Sequence, residues 1–194
     1  MIRKAVSAGG FYPGKARQLE QNLDQYLSGQ PPAAEATLRG IIVPHAGYLY
    51  SATVAARAYH LLPGLAHRPR RVFILAPAHF VPATASIGRF DQYETPLGLV
   101  EVDLPLCRKL LKSSSAFQDN NAAHLPEHSL EVQLPFLQRT LRDFRLVPIL
   151  LGEAADTRAV AAALQPYFTS QNNLFVFSSD LSHYHPYTEA QCLD

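Results

Sequence analysis

The sequence predicts an α/β protein in which helices flank a central mixed, mostly parallel β-sheet. Four runs rich in Val, Ile and Phe are apolar almost without a break, which is typical of strands covered on both faces. Amphipathic segments of ten or more residues lie between these runs. Strands that alternate with helices of this length build layered α/β folds.

The strands are predicted from their continuous apolar character and their bulky side chains. The four strong runs are residues 40–43, 72–76, 146–151 and 174–177. Two weaker runs, 85–90 and 97–102, are candidates for further strands around a turn at residues 95–98.

The helices are predicted from apolar side chains that recur every three or four residues. Five segments show this spacing: residues 15–27, 51–62, 103–112, 129–142 and 156–168. Ser51 is a candidate N-cap, and Asp103 opens a segment that ends in basic residues, as the helix dipole prefers. Pro135 must either bend the fourth helix or mark a later start.

The composition excludes several classes of protein. A chain of 194 residues with 47% hydrophobic and 17% charged residues can bury a core, and we expect a single domain over residues 1–194. A net charge of +1 predicts neither a nucleic-acid nor a membrane partner. Residues 1–13 contain no apolar signal region, and two cysteines cannot form a disulfide framework. We therefore expect a soluble, cytoplasmic protein.

Motifs for several familiar chemistries are absent from the sequence. It contains no G-x-S-x-G elbow, no glycine-rich phosphate loop and no C-x-x-C pair. An α/β-hydrolase serine, a nucleotide-binding loop and a structural zinc knuckle are therefore not predicted.

Histidines follow three of the four strong strands at the same place. His45, His79 and His183 each come just after the carboxyl end of a buried run. If these strands are parallel, the three histidines lie on one edge of the sheet, where ligands of open α/β sheets bind. Each histidine taken alone is more often a structural residue. The repeated placement favours a metal site, because imidazole binds iron, copper, zinc and nickel.

His45 and His79 are the predicted metal pair. Asp180 is a candidate for a third, carboxylate ligand, or for a group that orients a histidine. His183 follows three residues later and is a candidate ligand or general acid and base.

A second cluster contains His128 and Glu131, which are three residues apart and would share one face of a helix. Such a pair could move a proton. The alternative is that Ser129 caps the helix, Glu131 favours its first turn and His128 is merely exposed. Tyr12 and Tyr48 are either packing residues or part of a pocket wall that offers hydroxyl groups.

Together these residues resemble the Memo family, whose bacterial members are called AmmeMemoRadiSam system protein B. Five matching pieces occur in family order along almost the whole chain. They are AGGFYP at 8–13, VPHAGY at 43–48, PAH at 77–79, EHSLE at 127–131 with LP at 134–135, and SSD at 178–180 with His183.

The resemblance implies a fold similar to class III extradiol dioxygenases, with a site at the strand ends. It implies that His45 and His79 bind iron or copper, and that His128, Asp180 and His183 line the same pocket. The family's third ligand is a cysteine in a Cys-Gly motif. Cys192 does not stand in such a motif, and the role is not transferred to it. We expect that the chain lacks the C-terminal part of the family domain.

Three functions follow as alternatives. The first is a metal-dependent redox or dioxygenase-like protein in which His183, His128 and Asp180 are catalytic and Tyr12, Tyr48 and Glu131 bind substrate. The second is a module that binds a peptide, such as a phosphotyrosine peptide, or a small ligand without catalysis. The resemblance also implies a subunit of a modification system with radical-SAM and AMMECR-type partners. The third is a metabolic α/β protein whose histidines are structural. A shortened domain would also expose sheet surface, for which we expect a homo-oligomeric partner.

Overall fold

The computed structural model describes residues 1–30, 38–65, 69–141 and 143–194. Its strands are β1 (Ile2–Arg3), β2 (Gly40–Val43), β3 (Arg71–Pro77), β4 (Ala85–Ile87), β5 (Gln92–Thr95), β6 (Gly98–Glu101), β7 (Phe117–Asp119), β8 (Arg145–Leu151) and β9 (Asn173–Ser178). Its α-helices are α1 (Ala16–Tyr26), α2 (Tyr48–Tyr59), α3 (Leu104–Ser113), α4 (Asn121–His124), α5 (Leu134–Thr140), α6 (Thr157–Phe168) and α7 (Tyr187–Leu193).

The predicted fold class is confirmed by a six-stranded sheet in the order β2-β9-β3-β8-β4-β7. The first four strands of this order are the four strong apolar runs, and they pair in parallel. Strand β4 is antiparallel to β8 and parallel to β7, so the sheet is mixed. Helices pack against this sheet on a continuous hydrophobic core.

A second, three-stranded sheet has the order β1-β5-β6. The turn at residues 95–98 joins β5 to β6, so the two weaker runs do not pair around it as expected. The run at 85–90 instead gives β4 in the main sheet. Strands β1, β5 and β7 were not predicted, because two to four residues are too few to establish a period.

Aromatic stacking joins the layers. Phe73 of β3 and Phe175 of β9 stack at 4.5 Å between ring centroids, and Tyr167 of α6 packs on Phe73 at 5.7 Å. Tyr59 of α2 stacks on Phe136 of α5 at 4.8 Å. These contacts hold α6 against the sheet and join α2 to α5.

Two helix ends differ from prediction. Helix α2 begins at Tyr48, so Ser51 lies inside the helix and its hydroxyl donates back to the Ala46 carbonyl at 2.7 Å. The segment predicted as a helix over 129–142 forms a 3₁₀ turn at Glu131–Gln133 and then α5, whose second residue is Pro135. Residue 142 lies outside the described residues. Asp103 and Asp156 are the first residues of two predicted helical segments, and their side chains accept backbone hydrogen bonds as the N-caps of α3 and α6.

None of the helices within the described ranges is long and apolar enough to span a membrane.

His124 is a fully buried structural histidine at the end of α4. Its side chain is 1% exposed, the Tyr93 hydroxyl lies 2.9 Å from Nδ1, and Nε2 lies 3.3 Å from the Ser86 carbonyl. Burial disfavours the charged ring and lowers the pKa of His124 to about 4. The folded protein therefore takes up this proton at a lower pH than the unfolded chain does.

We expect His124 to weaken the fold as the pH falls. Below its unfolded pKa of 6.5 the unfolded chain binds a proton that the folded chain does not, until the pH reaches about 4. The free energy of unfolding should fall by on the order of 3 kcal/mol over this window through His124 alone. Urea denaturation between pH 7 and pH 4 should show that the free energy of unfolding decreases less in His124→Gln than in the unaltered protein. Equal slopes for the two proteins would contradict this expectation.

Candidate metal centre

The carboxyl ends of β2, β9 and β3 lie side by side and carry the predicted histidines. The parallel registers Val43↔Ser178 and Leu75↔Phe177 bring these ends to the same edge of the sheet. Strand β9 lies between the strands that precede His45 and His79, so these two strands are not neighbours. Even so, the rings of His45 and His79 converge, and their centroids are 5.2 Å apart.

His128 is the third member of this cluster, although its sequence position did not predict a ligand. Its ring centroid lies 4.7 Å from that of His79 and 5.8 Å from that of His45. One nitrogen from each of these three histidines lies within 4.8 Å of the others. His128 comes from the irregular segment between α4 and the 3₁₀ turn, where no strand or helix period marks its direction.

The donor set suits a transition-metal ion. Imidazole nitrogen is a common ligand of iron, copper and zinc, and the ring must be neutral to bind. Burial lowers the pKa of His45 and lowers that of His128 to about 4. Among the described residues the buried Nδ1 atom of His128 forms no hydrogen bond, although Glu127 Oε1 lies 3.2 Å from it.

Glu127 organises two of these histidines through one buried carboxylate. It accepts hydrogen bonds from the His79 backbone N–H at 2.6 Å, His79 Nδ1 at 2.9 Å and the Ser129 N–H at 3.0 Å. Burial favours the neutral carboxyl, but these hydrogen bonds outweigh it and lower the pKa of Glu127. In neutral His79 the proton therefore resides on Nδ1, and the lone pair is on Nε2.

Asp180 holds the His45 loop. Its Oδ1 accepts hydrogen bonds from the backbone N–H groups of His45 at 2.6 Å and Ala46 at 3.3 Å. Its Oδ2 lies 3.8 Å from His45 Nε2 and 3.5 Å from His183 Nε2. The His183 side chain is 55% exposed, so it lies at the rim of the cluster, and Asp180 lies between the two rings.

Glu131 does not pair with His128. It is fully buried, forms an ion pair with Arg3 and accepts hydrogen bonds from the Ser7 N–H at 2.9 Å and the Tyr12 hydroxyl at 2.5 Å. The carboxylate beside His128 is Glu127, at 3.2 Å from Nδ1. The predicted His128–Glu131 pair is therefore wrong, because His128 precedes the 3₁₀ turn and shares no helical face with Glu131.

Ser129 is not a helix cap either, because its hydroxyl donates to the Pro77 carbonyl at 2.7 Å. Tyr12 and Tyr48 are almost fully buried, and the Tyr48 hydroxyl donates to the Val132 carbonyl at 2.8 Å. The hydroxyl groups of both tyrosines are therefore engaged inside the protein. A substrate-binding role for Tyr12, Tyr48 and Glu131 stays a prediction.

Sequence reasoning assigned no individual role to Glu127, Ser178 or Gln133. Ser178 and Gln133 lie behind His45, where the Ser178 hydroxyl is 3.1 Å from His45 Nδ1. The sequence signal for Glu127 and Ser178 was their position: Glu127 is adjacent to His128, and Ser178 directly follows the apolar run at residues 174–177. Their partners are distant in sequence and become evident only in the folded chain.

The fold and this site define a class: α/β proteins that carry a cluster of histidines at the carboxyl edge of a mostly parallel sheet. A family model described as Memo-like protein matches residues 3–194. The chain belongs to the Memo family.

Relatives agree with this assignment over the length of the chain. A MEMO1 family protein of Aquifex aeolicus is 39% identical over 197 residues, which cover 100% of this chain and 72% of the relative. One of Nitrosopumilus maritimus is 36% identical over 193 residues, covering 95% and 70%. One of Schizosaccharomyces pombe is 35% identical over 193 residues, covering 94% and 61%.

The buried Arg3–Glu131 pair gives a test of its structural role. Arg3→Met leaves the Glu131 carboxylate without its counter-ion, and we expect a loss of about 3–5 kcal/mol in the free energy of unfolding. The double variant Arg3→Met with Glu131→Gln should lose less, because no buried charge stays unpaired. Urea denaturation of both variants at pH 7 measures this difference. A double variant that is less stable than Arg3→Met would contradict the expectation.

Proposed function

We propose that this Memo-family protein binds one iron or copper ion through His45, His79 and His128 and performs oxygen-activating or dioxygenase-like redox chemistry. The observation that supports it is the convergence of three imidazoles whose nitrogen atoms lie within 4.8 Å of one another. The buried Nδ1 of His128, which forms no hydrogen bond with a described residue, supports it further. Bound iron or copper would supply electron transfer and activation of oxygen or of a small organic substrate.

The surrounding residues set the ligand geometry in this proposal. Glu127 fixes the ring of His79 and the segment that carries His128 through its hydrogen bonds. Asp180 fixes the backbone of His45. Groups that orient histidines in this way are typical of metal sites and strengthen binding.

His183 is the proposed proton carrier. Its ring is the most exposed of the histidines around the cluster, so it can exchange protons with solvent. Asp180 Oδ2 lies 3.5 Å from His183 Nε2. A substrate would approach from the side of His79, whose side chain is 39% exposed, whereas that of His45 is 7% exposed.

Metal loading tests this proposal. Metal-free protein should bind about one Cu(II) or, without oxygen, one Fe(II) per chain. Each of His45→Ala, His79→Ala and His128→Ala should bind it at least ~10-fold more weakly, because one of three ligands is lost. Calorimetry and elemental analysis measure affinity and stoichiometry. The matched control is His60→Ala, at the far end of α2, which should bind as the unaltered protein does.

Unchanged affinity in all three cluster variants would refute the metal site. Activity is a separate question, tested by oxygen consumption of the loaded protein with catechol-type substrates.

A second candidate function is peptide binding, and exposed apolar side chains near the rim favour it. Leu49, Tyr50, Phe80, Leu181 and Tyr184 all have more than half of their surface exposed. Such side chains often mark a surface that contacts another molecule. The expected radical-SAM and AMMECR-type partners would also bind such a surface, and they stay proposals.

Phosphotyrosine peptides distinguish the two functions. If the cluster is a metal site, the bound ion would occupy the histidines that a phosphopeptide would otherwise contact. Metal-free and metal-loaded protein should then differ by at least ~10-fold in peptide affinity, or neither should bind the peptide. Fluorescence anisotropy with a labelled phosphopeptide and its unphosphorylated control measures this. Phosphate-dependent binding that is equal with and without metal, and that is lost in His79→Ala, would favour the peptide module instead.

A further inference from the structure

A chain of buried hydrogen bonds leads toward His45 from the core. The Tyr59 hydroxyl donates to Gln133 Oε1 at 2.8 Å. Gln133 Nε2 donates to the Pro44 carbonyl and to Ser178 Oγ, both at 2.9 Å. Because a carbonyl can only accept, the Gln133 atom that faces Pro44 must be the nitrogen. The orientation of the amide is therefore fixed.

The same reasoning fixes the proton of the Ser178 hydroxyl. It donates to the Ser129 carbonyl at 2.7 Å, which can only accept. Its oxygen accepts one hydrogen from Gln133, and its remaining lone pair faces His45 Nδ1 at 3.1 Å. A hydroxyl that has already used its only hydrogen can form this contact only as an acceptor. His45 Nδ1 must then carry the hydrogen.

We propose that Ser178 and Gln133 are positioning residues that hold the proton of neutral His45 on Nδ1 and thereby leave the Nε2 lone pair for a ligand. Free neutral imidazole can carry its proton on either nitrogen. In a folded protein the surrounding hydrogen bonds determine which nitrogen is protonated. The use of that lone pair by a metal ion rests on the proposed function. The tautomer itself depends only on the hydrogen bonds.

The opposite tautomer has no comparable partner among the described residues. Asp180 Oδ2 is the acidic oxygen nearest to His45 Nε2, and at 3.8 Å it is too far for a hydrogen bond. Asp180 Oδ1 already accepts two backbone N–H groups. Moving the proton to Nε2 would also leave a Ser178 lone pair facing the lone pair of Nδ1.

Nuclear magnetic resonance of the metal-free protein tests the tautomer directly. Long-range ¹H–¹⁵N correlations of the histidine rings distinguish protonated from unprotonated nitrogen, and His45→Gln identifies the His45 signals. At pH 7.5 we expect a protonated Nδ1 and an unprotonated Nε2. A protonated Nε2 in the unaltered protein would overturn the proposal, and this measurement needs no substitution at Ser178 or Gln133.

Ser178→Ala tests the positioning role. It removes the acceptor, so we expect a mixture of tautomers at His45 and a Cu(II) affinity roughly 10- to 100-fold lower. Ser179→Ala is the matched control, because it is adjacent, and its exposed hydroxyl donates to the Asp180 carbonyl rather than to His45. It should preserve both the tautomer and the affinity. Thermal unfolding verifies that each variant is folded.

The outcomes separate the two proposals. Unchanged tautomer and affinity in folded Ser178→Ala would overturn the role of Ser178. If the unaltered protein shows the Nδ1–H form but binds no copper or iron, the metal function fails and the tautomer assignment stands.

Discussion

The geometry of the histidine cluster depends on the buried carboxylate of Glu127. Only 2% of this residue is exposed, and its two oxygens receive three N–H groups from the loop after β3 and the segment after α4. A buried carboxylate is costly unless hydrogen bonds compensate it, so these donors and the carboxylate stabilise one another. The interaction joins two segments about 50 residues apart in sequence and sets the distance between His79 and His128.

The positions of His45 and His79 could be predicted because they depend on the most regular part of the sequence. Continuous apolar runs identified the four parallel strands, and parallel strands end at one edge. The role of His128 could not be predicted in this way. It belongs to an irregular segment whose path is set by Glu127 and by the Ser129 hydroxyl on the Pro77 carbonyl, and these contacts are distant in sequence.

Glu131 illustrates why spacing alone could not decide between the two interpretations of the second cluster. A separation of three residues implies a shared face only where a helix is continuous. Here a 3₁₀ turn begins at Glu131, and Arg3 of the two-residue strand β1 draws its carboxylate into the core. Such a short strand has no detectable period, so nothing in the sequence indicated that the Arg3 side chain would pair with Glu131 in the core. The same carboxylate then orders the N-terminal segment through Ser7 and Tyr12.

The hydrogen bonds of the three clustered histidines differ from those of the structural histidine His124. His124 shows what a structural histidine looks like here, since both ring nitrogens have partners. Among the described residues, His45 and His79 each have one ring nitrogen in a hydrogen bond, whereas the buried Nδ1 of His128 forms none and lies 3.2 Å from Glu127 Oε1. Three such rings turned toward one another form a donor set able to hold a shared cation.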